Sequence, residues 1–497
     1  MTEGMESQDN RIKKKVFSGM IWAFGEQFSA QAISFVLSVI LARLLMPEEY
    51  GTITMVLVFI NIANVFVTDG FGEALVQRKN ATDADFTTVF YCSLAVSVFL
   101  YCMLYITSPL IAAFYDSPEL ALVLRVLALK LPIASINSIQ RAYVQKNMQF
   151  KKFFFSTLGG TILSGVLGIF MAYKGFGVWA LVAQYMSNSC VATIVMFFTV
   201  KWKPSLVFCK SSAKELIRYA WKLTAASLIN TLYNELRSLI IGKKYSTSDL
   251  AYYNKGNHIP SLAITNMNSA ISTVIFPAMS QCNNEPNRLK AITRRSMKVA
   301  AFVIFPVMGG IIGIGEPLIR LLLTEKWLPC VPYLYMACMY WACQPVQTAN
   351  WQVIKAIGRS DLALKLEIYK KIIGFFLILV SIPFGVKAMA ASNVLFAIIS
   401  MLINIIPNKR LINYSIHEQL FDLAPSFFSS IVMCLIVLEV RNVVLPDFIL
   451  LPLQVAVGIA IYVLCSILLK NDSFSYVMDI LKGFMAKRRE KNEPLNN

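Results

Sequence analysis

Fourteen long apolar segments dominate this chain of 497 residues, and they restrict the folds that are open to it. Each has a length of about 20 residues, which an α-helix needs to cross the roughly 30 Å hydrocarbon layer of a membrane. Only 15% of the residues are charged, whereas soluble domains carry about 25%. The sequence therefore predicts an all-α polytopic membrane protein with about 14 transmembrane helices. The segments are 16–42, 52–69, 88–114, 120–140, 153–173, 176–200, 216–241, 250–277, 297–323, 330–354, 364–385, 388–407, 421–440 and 446–469.

Lysine and arginine are distributed unevenly between the connections of the predicted helices. Alternate connections, together with both termini, hold 34 of the 46 basic residues, and the opposite connections hold 8. Because short cytoplasmic loops carry the excess of basic residues, this predicts an even number of helices with both termini in the cytoplasm. The net charge of +18 is then mostly a consequence of topology, and we expect no nucleic-acid partner.

Residue types that bind metals or form disulfides show no grouping in the sequence. The ten cysteines are scattered without a CxxC pair, and the two histidines, His258 and His417, are far apart. Neither a metal site nor a disulfide framework is predicted, and no cofactor is expected. The first apolar segment contains Glu26 and has no small-residue cleavage pattern, so we predict a retained helix rather than a signal peptide.

A weak internal repeat relates the two halves of the chain at an offset of 200 residues. Residues 38–43 (SVILAR) align with 238–243 (SLIIGK), and the turn at Pro47 aligns with a turn at 247–251. Helix 1 then corresponds to helix 7, and because six is even, both copies have the same orientation in the membrane. We therefore predict two six-helix lobes in a parallel repeat, plus two C-terminal helices. The predicted parts are a basic cytoplasmic N-terminus (1–15), an N-lobe with helices 1–6 (16–200), a cytoplasmic linker (201–215), a C-lobe with helices 7–12 (216–407), helices 13 and 14 (421–469) and a cytoplasmic tail (470–497).

Polar residues follow one face of helix 1 and the corresponding face of helix 7. Their spacing of i, i+4, i+7 and i+11 places them on one side of a helix. Two such stripes favour a polar cavity between the lobes, and the alternative is that small polar residues hold the helices together. The stripes consist of Gln27, Gln31, Ser34 and Ser38 in helix 1 and of Ser227, Thr231, Asn234 and Ser238 in helix 7. Further candidates for the cavity are Asn61, Asn64 and Thr68 in helix 2, Asn137 and Arg141 in helix 4, and Gln344, Gln347 and Trp351 in helix 10.

Several ionisable residues lie within the predicted helices, where a charge costs at least about 2.5–3.5 kcal/mol. Arg125, Lys130 and Arg237 are candidates for binding an anionic substrate, because arginine and lysine both hold phosphate oxygens. Glu26 and Asp69 are candidates for coupling transport to a cation, since a desolvated carboxylate binds a proton more readily. The alternative is that these charges pair internally, for example Glu26 with Lys130.

Short motifs in the chain resemble those of polysaccharide transporters in the MOP (multidrug/oligosaccharidyl-lipid/polysaccharide) exporter superfamily. LARLLMPEEYG at 41–51 is similar to the first-loop signature of that family, and DGFGEALVQRK at 69–79 is similar to the segment after helix 2. The resemblance continues in FKK at 150–152, YYNK at 252–255, FPAMS at 276–280 and KW at 326–327. It covers most of residues 15–410 and is nearest to the Wzx-type flippases for lipopolysaccharide and exopolysaccharide.

The resemblance implies a transporter rather than an enzyme. The expected substrate is an oligosaccharide repeat unit linked to undecaprenyl pyrophosphate, moved by alternating access from the cytoplasmic to the periplasmic leaflet of a bacterial inner membrane. Expected partners are this polyprenyl-linked oligosaccharide, membrane lipid, and a polysaccharide polymerase with its chain-length regulator. The two additional C-terminal helices resemble the lipid II flippase branch, where the added pair forms a lipid groove. The motifs identify the family and supply no binding residue.

Two other transport functions stay open, a cation-coupled multidrug exporter of the same superfamily and a lipid II flippase. A drug exporter is expected to have a cavity richer in carboxylates than in cations. A membrane glycosyltransferase or polymerase is not favoured, because such enzymes place catalytic residues in sizeable external loops. The predicted outer loops of this chain are short and poor in acidic and basic residues.

Overall fold

A computed structural model describes most of the chain. The described residues are 22, 25–68, 72, 75, 78, 82–147, 149, 151–282, 284–443, 445–479 and 482, without the side chains of 219 and 266–274. The regular structure in these residues is helical, and contacts divide the chain into two compact units, Met1–Ala251 and Tyr252–Asn497. Asp69 and the start of the first predicted helix lie outside the described residues.

Each predicted apolar segment coincides with a helix, or with a pair of helices, in the described part of the chain. The helices up to the end of the first unit are α1 (Gly25–Leu44), α2 (Pro47–Thr68), α3 (Asp83–Phe114), α4a (Glu119–Ala128), α4b (Lys130–Lys146), α5 (Lys151–Tyr173), α6 (Val178–Thr199) and α7 (Lys210–Lys244). The following helices are α8 (Thr247–Ser280), α9 (Pro286–Leu323), α10a (Val331–Ala342), α10b (Gln344–Ala356), α11 (Ser360–Ser381), α12 (Val386–Ile405), α13 (Ile416–Val440) and α14 (Asp447–Leu468).

Nine helices of the described residues are long and apolar enough to cross a membrane, namely α1, α2, α3, α5, α6, α9, α12, α13 and α14. These helices confirm the predicted class of an all-α polytopic membrane protein. The other segments, which comprise α4, α7, α8, α10 and α11, are helical but fall short of that criterion. The total of about 14 transmembrane helices and the cytoplasmic position of both termini stay predictions.

The turn between α1 and α2 is capped by the first turn of α2. Pro47 begins that helix, where its missing N–H group is tolerated, and the Glu49 carboxylate accepts the backbone N–H of Met46 at 2.7 Å. In the turn between α7 and α8, the Asp249 carboxylate accepts the Ser246 hydroxyl at 2.7 Å. Both turns therefore have an acidic residue that reaches back to the residue three positions earlier, which is half of a capping box.

These two turns contact each other within the first unit. The Ser248 hydroxyl donates to Glu48 Oε1 at 2.6 Å. At Gly51, an added Cβ atom would collide with the backbone carbonyl of Thr247. The two turns approach this closely because glycine has no side chain. The residues related by the offset of 200 thus join the beginning of α2 to the beginning of α8.

Small residues bring α5 and α6 close together. The Ser156 hydroxyl donates to the backbone carbonyl of Ala192 at 2.7 Å. A Cβ atom at Gly160 would lie 3.1 Å from the backbone carbonyl oxygen of Asn188. Such residues let helix backbones approach in a membrane, where apolar lipid removes the hydrophobic force between helices.

Helix α7 packs on α2 and α3 within the first unit. Part of this contact is an ion pair between the Lys243 ammonium and the Asp116 carboxylate, 3.1 Å apart. The first compact unit therefore continues through α7 to Ala251. The lobes at 16–200 and 216–407 are defined by the sequence repeat rather than by contacts, and their boundaries stay a prediction.

Two helical segments are broken next to a proline, and the two breaks lie at corresponding places in the repeat. α4 is interrupted at Leu129 and contains Pro132, while α10 is interrupted at Cys343 and contains Pro345. A proline removes one backbone donor, and its ring collides with the carbonyl group four residues earlier. That carbonyl lies near the end of α4a and of α10a. The sequence analysis took both segments as continuous, and the prolines explain the difference.

In the second unit, α13 and α14 pack against α9. The buried Asp422 carboxylate of α13 accepts hydrogen bonds from the Arg294 guanidinium at 2.5 Å and from the Tyr414 hydroxyl at 2.7 Å. Near the opposite end of α9, an Arg320 nitrogen lies 3.5 Å from the Asp447 carboxylate of α14. Charged contacts at both ends therefore fix the last two helices to α9.

The first part of the predicted cytoplasmic tail also packs on α9. Residues 472–479 are helical, and the Arg295 guanidinium carbon lies 3.7 Å from the centroid of the Tyr476 ring. This cation–π contact holds the beginning of the tail against protein. Residues 483–497 lie outside the described residues.

The contact between the two turns predicts that Gly51→Ala destabilises the protein. The added methyl group meets backbone rather than a movable side chain, and overpacking of this kind costs about 1–3 kcal/mol. We expect a lower Tm for the purified variant in detergent. Gly159→Ala in α5 is the matched control, because nothing lies within 4 Å of its added Cβ and alanine favours a helix over glycine by up to about 1 kcal/mol. Equal Tm values for the two variants would contradict the close approach at Gly51.

Cys209 is predicted to be a reactive thiol in the connection between α6 and α7. Its sulfur lies 3.1 Å from the Ser211 hydroxyl, and hydrogen bonding, first from that hydroxyl, lowers the pKa of the thiol to about 7. The thiolate is the nucleophile, so in a variant without the other cysteines the rate of iodoacetamide alkylation should rise through pH 7. Ser211→Ala should move this midpoint to higher pH. An unchanged midpoint would exclude the hydrogen bond as its cause.

The same residue tests the predicted topology. A membrane-impermeant maleimide should label Cys209 in inside-out vesicles and not in intact spheroplasts, because the linker is predicted to be cytoplasmic. A single cysteine introduced by Lys174→Cys, in the opposite set of connections, should show the reverse accessibility. Labelling of Cys209 from outside would reverse the predicted orientation.

Candidate functional site

Helix α1 contacts α5 through its predicted coupling residue. Glu26 Oε1 accepts a hydrogen bond from the Thr157 hydroxyl of α5 at 2.7 Å. On the predicted polar stripe of α1, Gln27 and Ser34 are exposed and Gln31 is half-buried. The stripe therefore leaves polar side chains accessible, while the carboxylate beside it is held by a neighbouring helix.

The polar face of α7 is open at one position and covered at others. Asn234 is exposed, whereas Ser238 and Arg237 are buried. Next to Asn234, the Glu235 carboxylate accepts the Asn61 amide of α2 at 3.0 Å. The burial of Ser238 agrees with the alternative that small polar residues hold helices together. The exposure of Asn234 agrees with a side chain that lines a polar cavity.

The two cations of α4 have different surroundings. The Arg125 Nε donates to the Ser108 hydroxyl of α3 at 2.8 Å, and its guanidinium carbon lies 4.5 Å from the Tyr105 ring centroid. Lys130, the first residue of α4b, has its Nζ 5.4 Å from the Tyr185 ring centroid on α6. Arg125 is thus engaged in packing α4a on α3, and Lys130 lies where α4 is interrupted.

The internal ion pair between Glu26 and Lys130 that the sequence left open is not formed. Glu26 binds Thr157, and Lys130 lies over Tyr185. Among the described residues, no carboxylate is within ion-pairing distance of the Lys130 ammonium. A half-buried cation with an aromatic contact and no counter-charge is suited to an anionic ligand.

Two of the predicted amide side chains take part in contacts within the first unit. The Asn137 amide of α4b donates to the Thr193 hydroxyl of α6 at 3.3 Å. In α2, the Thr68 hydroxyl donates to the backbone carbonyl of Asn64 at 3.0 Å. Asn137 therefore lies on the face of α4b that meets α6, which is the helix that Lys130 also contacts.

In the second unit, the predicted glutamines lie on α10b. Gln344 is half-buried and begins this helix directly after the break. The Gln347 amide donates to the backbone carbonyl of Ala397 on α12 at 3.3 Å. Gln344 thus stands directly after the interruption of α10, as Lys130 does after that of α4.

A second buried cation was missed by the sequence reasoning. Lys255 lies near the start of the predicted segment 250–277 and was counted with the connection before it, but it is buried in α8, with its Nζ 5.5 Å from the Trp327 ring centroid. The nearby Asn257 accepts the Trp341 indole N–H at 3.0 Å. The spacing of Lys255 and His258 by three residues, on one side of a helix, was the signal available in the sequence.

Metal binding has no visible basis in the described residues, which contain no group of three or more His, Cys, Asp or Glu side chains placed to hold an ion. Of the two predicted coupling residues, Asp69 lies outside the described part. The accessible amides of α1 and α7 and the lysine of α4b thus remain separate candidate positions in the described part of the first unit.

Comparison with known protein families identifies the chain. A family model described as polysaccharide biosynthesis protein matches residues 40–332. The teichuronic acid biosynthesis protein TuaB of Bacillus subtilis is 26% identical over 359 residues, which are 71% of this chain and 73% of that protein. The succinoglycan biosynthesis transport protein ExoT of Rhizobium meliloti is 24% identical over 321 residues, which are 65% of each chain.

Solved structures give the fold. The lipid II flippase MurJ in an inward closed conformation is similar with a TM-score of 0.75, covering 91% of this chain and 99% of that one at 14% sequence identity. At this identity the likeness shows a shared fold. Since the family model covers more than half of the sequence, the chain belongs to the polysaccharide biosynthesis protein family.

Proposed function

We propose that this protein is a flippase for polysaccharide biosynthesis. It moves oligosaccharide repeat units linked to undecaprenyl pyrophosphate from the cytoplasmic to the periplasmic leaflet of a bacterial inner membrane. The observation that carries this proposal is the family match across 40–332 in a chain with a membrane-transporter fold. A relative named as a transport protein for succinoglycan supports the same reading of the family.

Cations at the broken helix supply a physical reason for this substrate. A pyrophosphate group needs positive charge and hydrogen-bond donors wherever water is excluded. Lys130 offers three N–H donors beside the break in α4, over an aromatic ring and away from any described carboxylate. Discontinuous helices surround the substrate sites of many transporters, because their free backbone ends bind charge.

We assign the substrate path to the predicted set of residues. Polar and cationic side chains serve different parts of the lipid-linked oligosaccharide, since amides and hydroxyls suit sugar hydroxyl groups and cations suit phosphate. The proposed binding residues are Arg125, Lys130, Arg237, Gln27, Gln31, Ser34, Asn64, Asn137, Asn234, Gln344 and Gln347. Arg125 contributes by fixing α4a on α3, because its guanidinium is occupied by Ser108.

Glu26 is the proposed coupling residue in the described part of the chain. Its carboxylate accepts one hydroxyl hydrogen bond from Thr157 and has no ion pair there. A carboxylate has about four lone-pair sites, so one hydrogen bond leaves Glu26 acceptor capacity for a coupling cation, either Na⁺ or H⁺. Asp69 stays a second candidate on the sequence alone.

Partner proteins follow from the proposed reaction. A flipped repeat unit must next be joined to others, so a polysaccharide polymerase and a chain-length regulator are the expected neighbours in the membrane. The transporter can be tested without the polymerase or the regulator, by measuring the amount of lipid-linked repeat units.

The experiment that tests the function uses a bacterial strain that lacks its own polysaccharide transporter. Expression of this protein should restore surface polymer and lower the pool of lipid-linked repeat units in inner membranes. A panel of strains that make different glycans covers the substrate range. Drug resistance without restored polymer in any of them would favour the multidrug alternative.

Lys130→Gln is predicted to abolish most of this transport while preserving the fold. Hydrogen bonds to charged groups contribute about 1.5–3 kcal/mol each, so loss of the ammonium should lower the initial transport rate by about 10- to 100-fold. Lys130→Arg should retain more activity than Lys130→Gln, because it keeps the charge.

The matched control is Lys174→Gln, since the Lys174 Nζ also lies over an aromatic ring, 6.0 Å from the Phe170 centroid, but in a short connection. Both variants are compared at equal amounts of protein in the membrane, by the rate at which surface polymer appears. Full activity of Lys130→Gln would show that this lysine does not bind the substrate.

A further inference from the structure

A cavity of about 220 Å³ lies in the first unit between α3, α4b, α6 and the connection that follows α6. Its walls are almost entirely apolar and aromatic. The lining residues are Phe90, Ile136, Gln140, Thr193, Ile194, Phe197, Phe198, Trp202 and Pro204. The volume equals about seven water molecules at roughly 30 Å³ each, so it is suited to a short length of hydrocarbon chain.

One side of this cavity opens to the outside of the unit. Phe198 is 79% exposed and Ile194 is 54% exposed, both on α6. α6 is apolar enough to cross a membrane, and these large exposed apolar side chains suit contact with lipid. A lipid chain can therefore enter the cavity from the bilayer without a change of fold.

Trp202 forms a fixed part of the cavity wall. It is almost completely buried and is held in place by ring contacts, including one with Tyr143 at a centroid distance of 6.3 Å. The polar atoms of Trp202 and Gln140 are buried behind the lining, so the surface that an occupant meets is apolar.

Basic residues flank Trp202 at one end of the cavity. The Lys203 Nζ lies 5.3 Å from the Phe197 ring centroid, beside the cavity wall. Lys201 is close enough to Lys152 for the two charges to repel each other. None of these three lysines forms an ion pair within the described residues. An anionic group is therefore the complementary partner for this end of the cavity.

We propose that this cavity binds an anionic phospholipid of the cytoplasmic leaflet. One acyl chain occupies the apolar cavity, and the phosphate contacts the exposed Lys201 and Lys203. The connection after α6 is predicted to be cytoplasmic, and that leaflet carries anionic lipid which basic pockets between helices bind. This lipid site lies within the first unit.

Tryptophan quenching in nanodiscs tests this site with the full-length protein. The discs contain phosphatidylcholine and a small fraction of phosphatidylglycerol brominated in its acyl chains, or the same fraction of brominated phosphatidylcholine. Trp202 is one of seven tryptophans. Its contribution is the difference in quenching between the unchanged protein and the variant Trp202→Phe. Brominated phosphatidylglycerol should quench it at a lower mole fraction than brominated phosphatidylcholine does.

Two variants separate the parts of the site. Replacing Lys201 and Lys203 by Gln should raise the half-quenching mole fraction of phosphatidylglycerol by roughly fivefold for each lysine, on the basis of about 1 kcal/mol per basic residue. Ile136→Phe fills the cavity and should remove the quenching. The controls are Lys174→Gln and Ile162→Phe, which change a lysine and an exposed isoleucine elsewhere in the first unit.

Equal quenching by the two brominated lipids would overturn the proposal, as would an unchanged response in the double lysine variant. Displacement of phosphatidylglycerol by a smaller amount of undecaprenyl phosphate would also overturn it, and would assign the cavity to the carrier lipid. If Ile136→Phe does not fold, the lysine variants alone decide the outcome.

Discussion

The hydrocarbon layer of a membrane does not tolerate unpaired polar groups, and this constraint governs how the helices of this protein are used. The most apolar helices, such as α3 and α14, have few polar side chains that would need a partner in the membrane. Helices α4, α7, α8, α10 and α11 do not meet it, and they contain most of the residues proposed for function. Their polar side chains must be satisfied by other parts of the protein or by a ligand.

Neighbouring helices satisfy several of these groups in the described structure. Arg125 binds Ser108 on α3, and Asp422 in the second unit binds Arg294 and Tyr414. Lys130 is different, because its contact is an aromatic ring beside a helix break. A cation left in that condition costs stability in the absence of a ligand, and such costs are usual at binding sites.

Much of the fold followed from the sequence because long apolar segments have few alternatives in a membrane. The turns at Pro47 and at 247–251 were found through the repeat, and the structure joins them by a direct hydrogen bond. The breaks in α4 and α10 were missed, although Pro132 and Pro345 are the sequence signals for them. Hydropathy is averaged over a whole segment, and one proline changes that average little.

The side-chain partners were predicted less well, since they depend on how helices face one another. The apolar segments placed Glu26 in helix 1 and Lys130 in helix 4, but they contained no information on how these helices face their neighbours. Glu26 binds Thr157 and Lys130 lies over Tyr185 instead of pairing with each other. Lys255 was counted with a loop because helix ends are uncertain by several residues. Contacts between helices that are far apart in the sequence are not determined by hydropathy or periodicity.

Transport by purified protein tests the proposed flippase most directly. The protein is reconstituted in liposomes with a labelled undecaprenyl-pyrophosphate-linked oligosaccharide in one leaflet, and a membrane-impermeant glycosidase measures its arrival in the other. The flippase function predicts transfer that is much faster than in liposomes without protein and slower with Lys130→Gln. Transfer at the protein-free rate, together with movement of a cationic drug in the same liposomes, would contradict it.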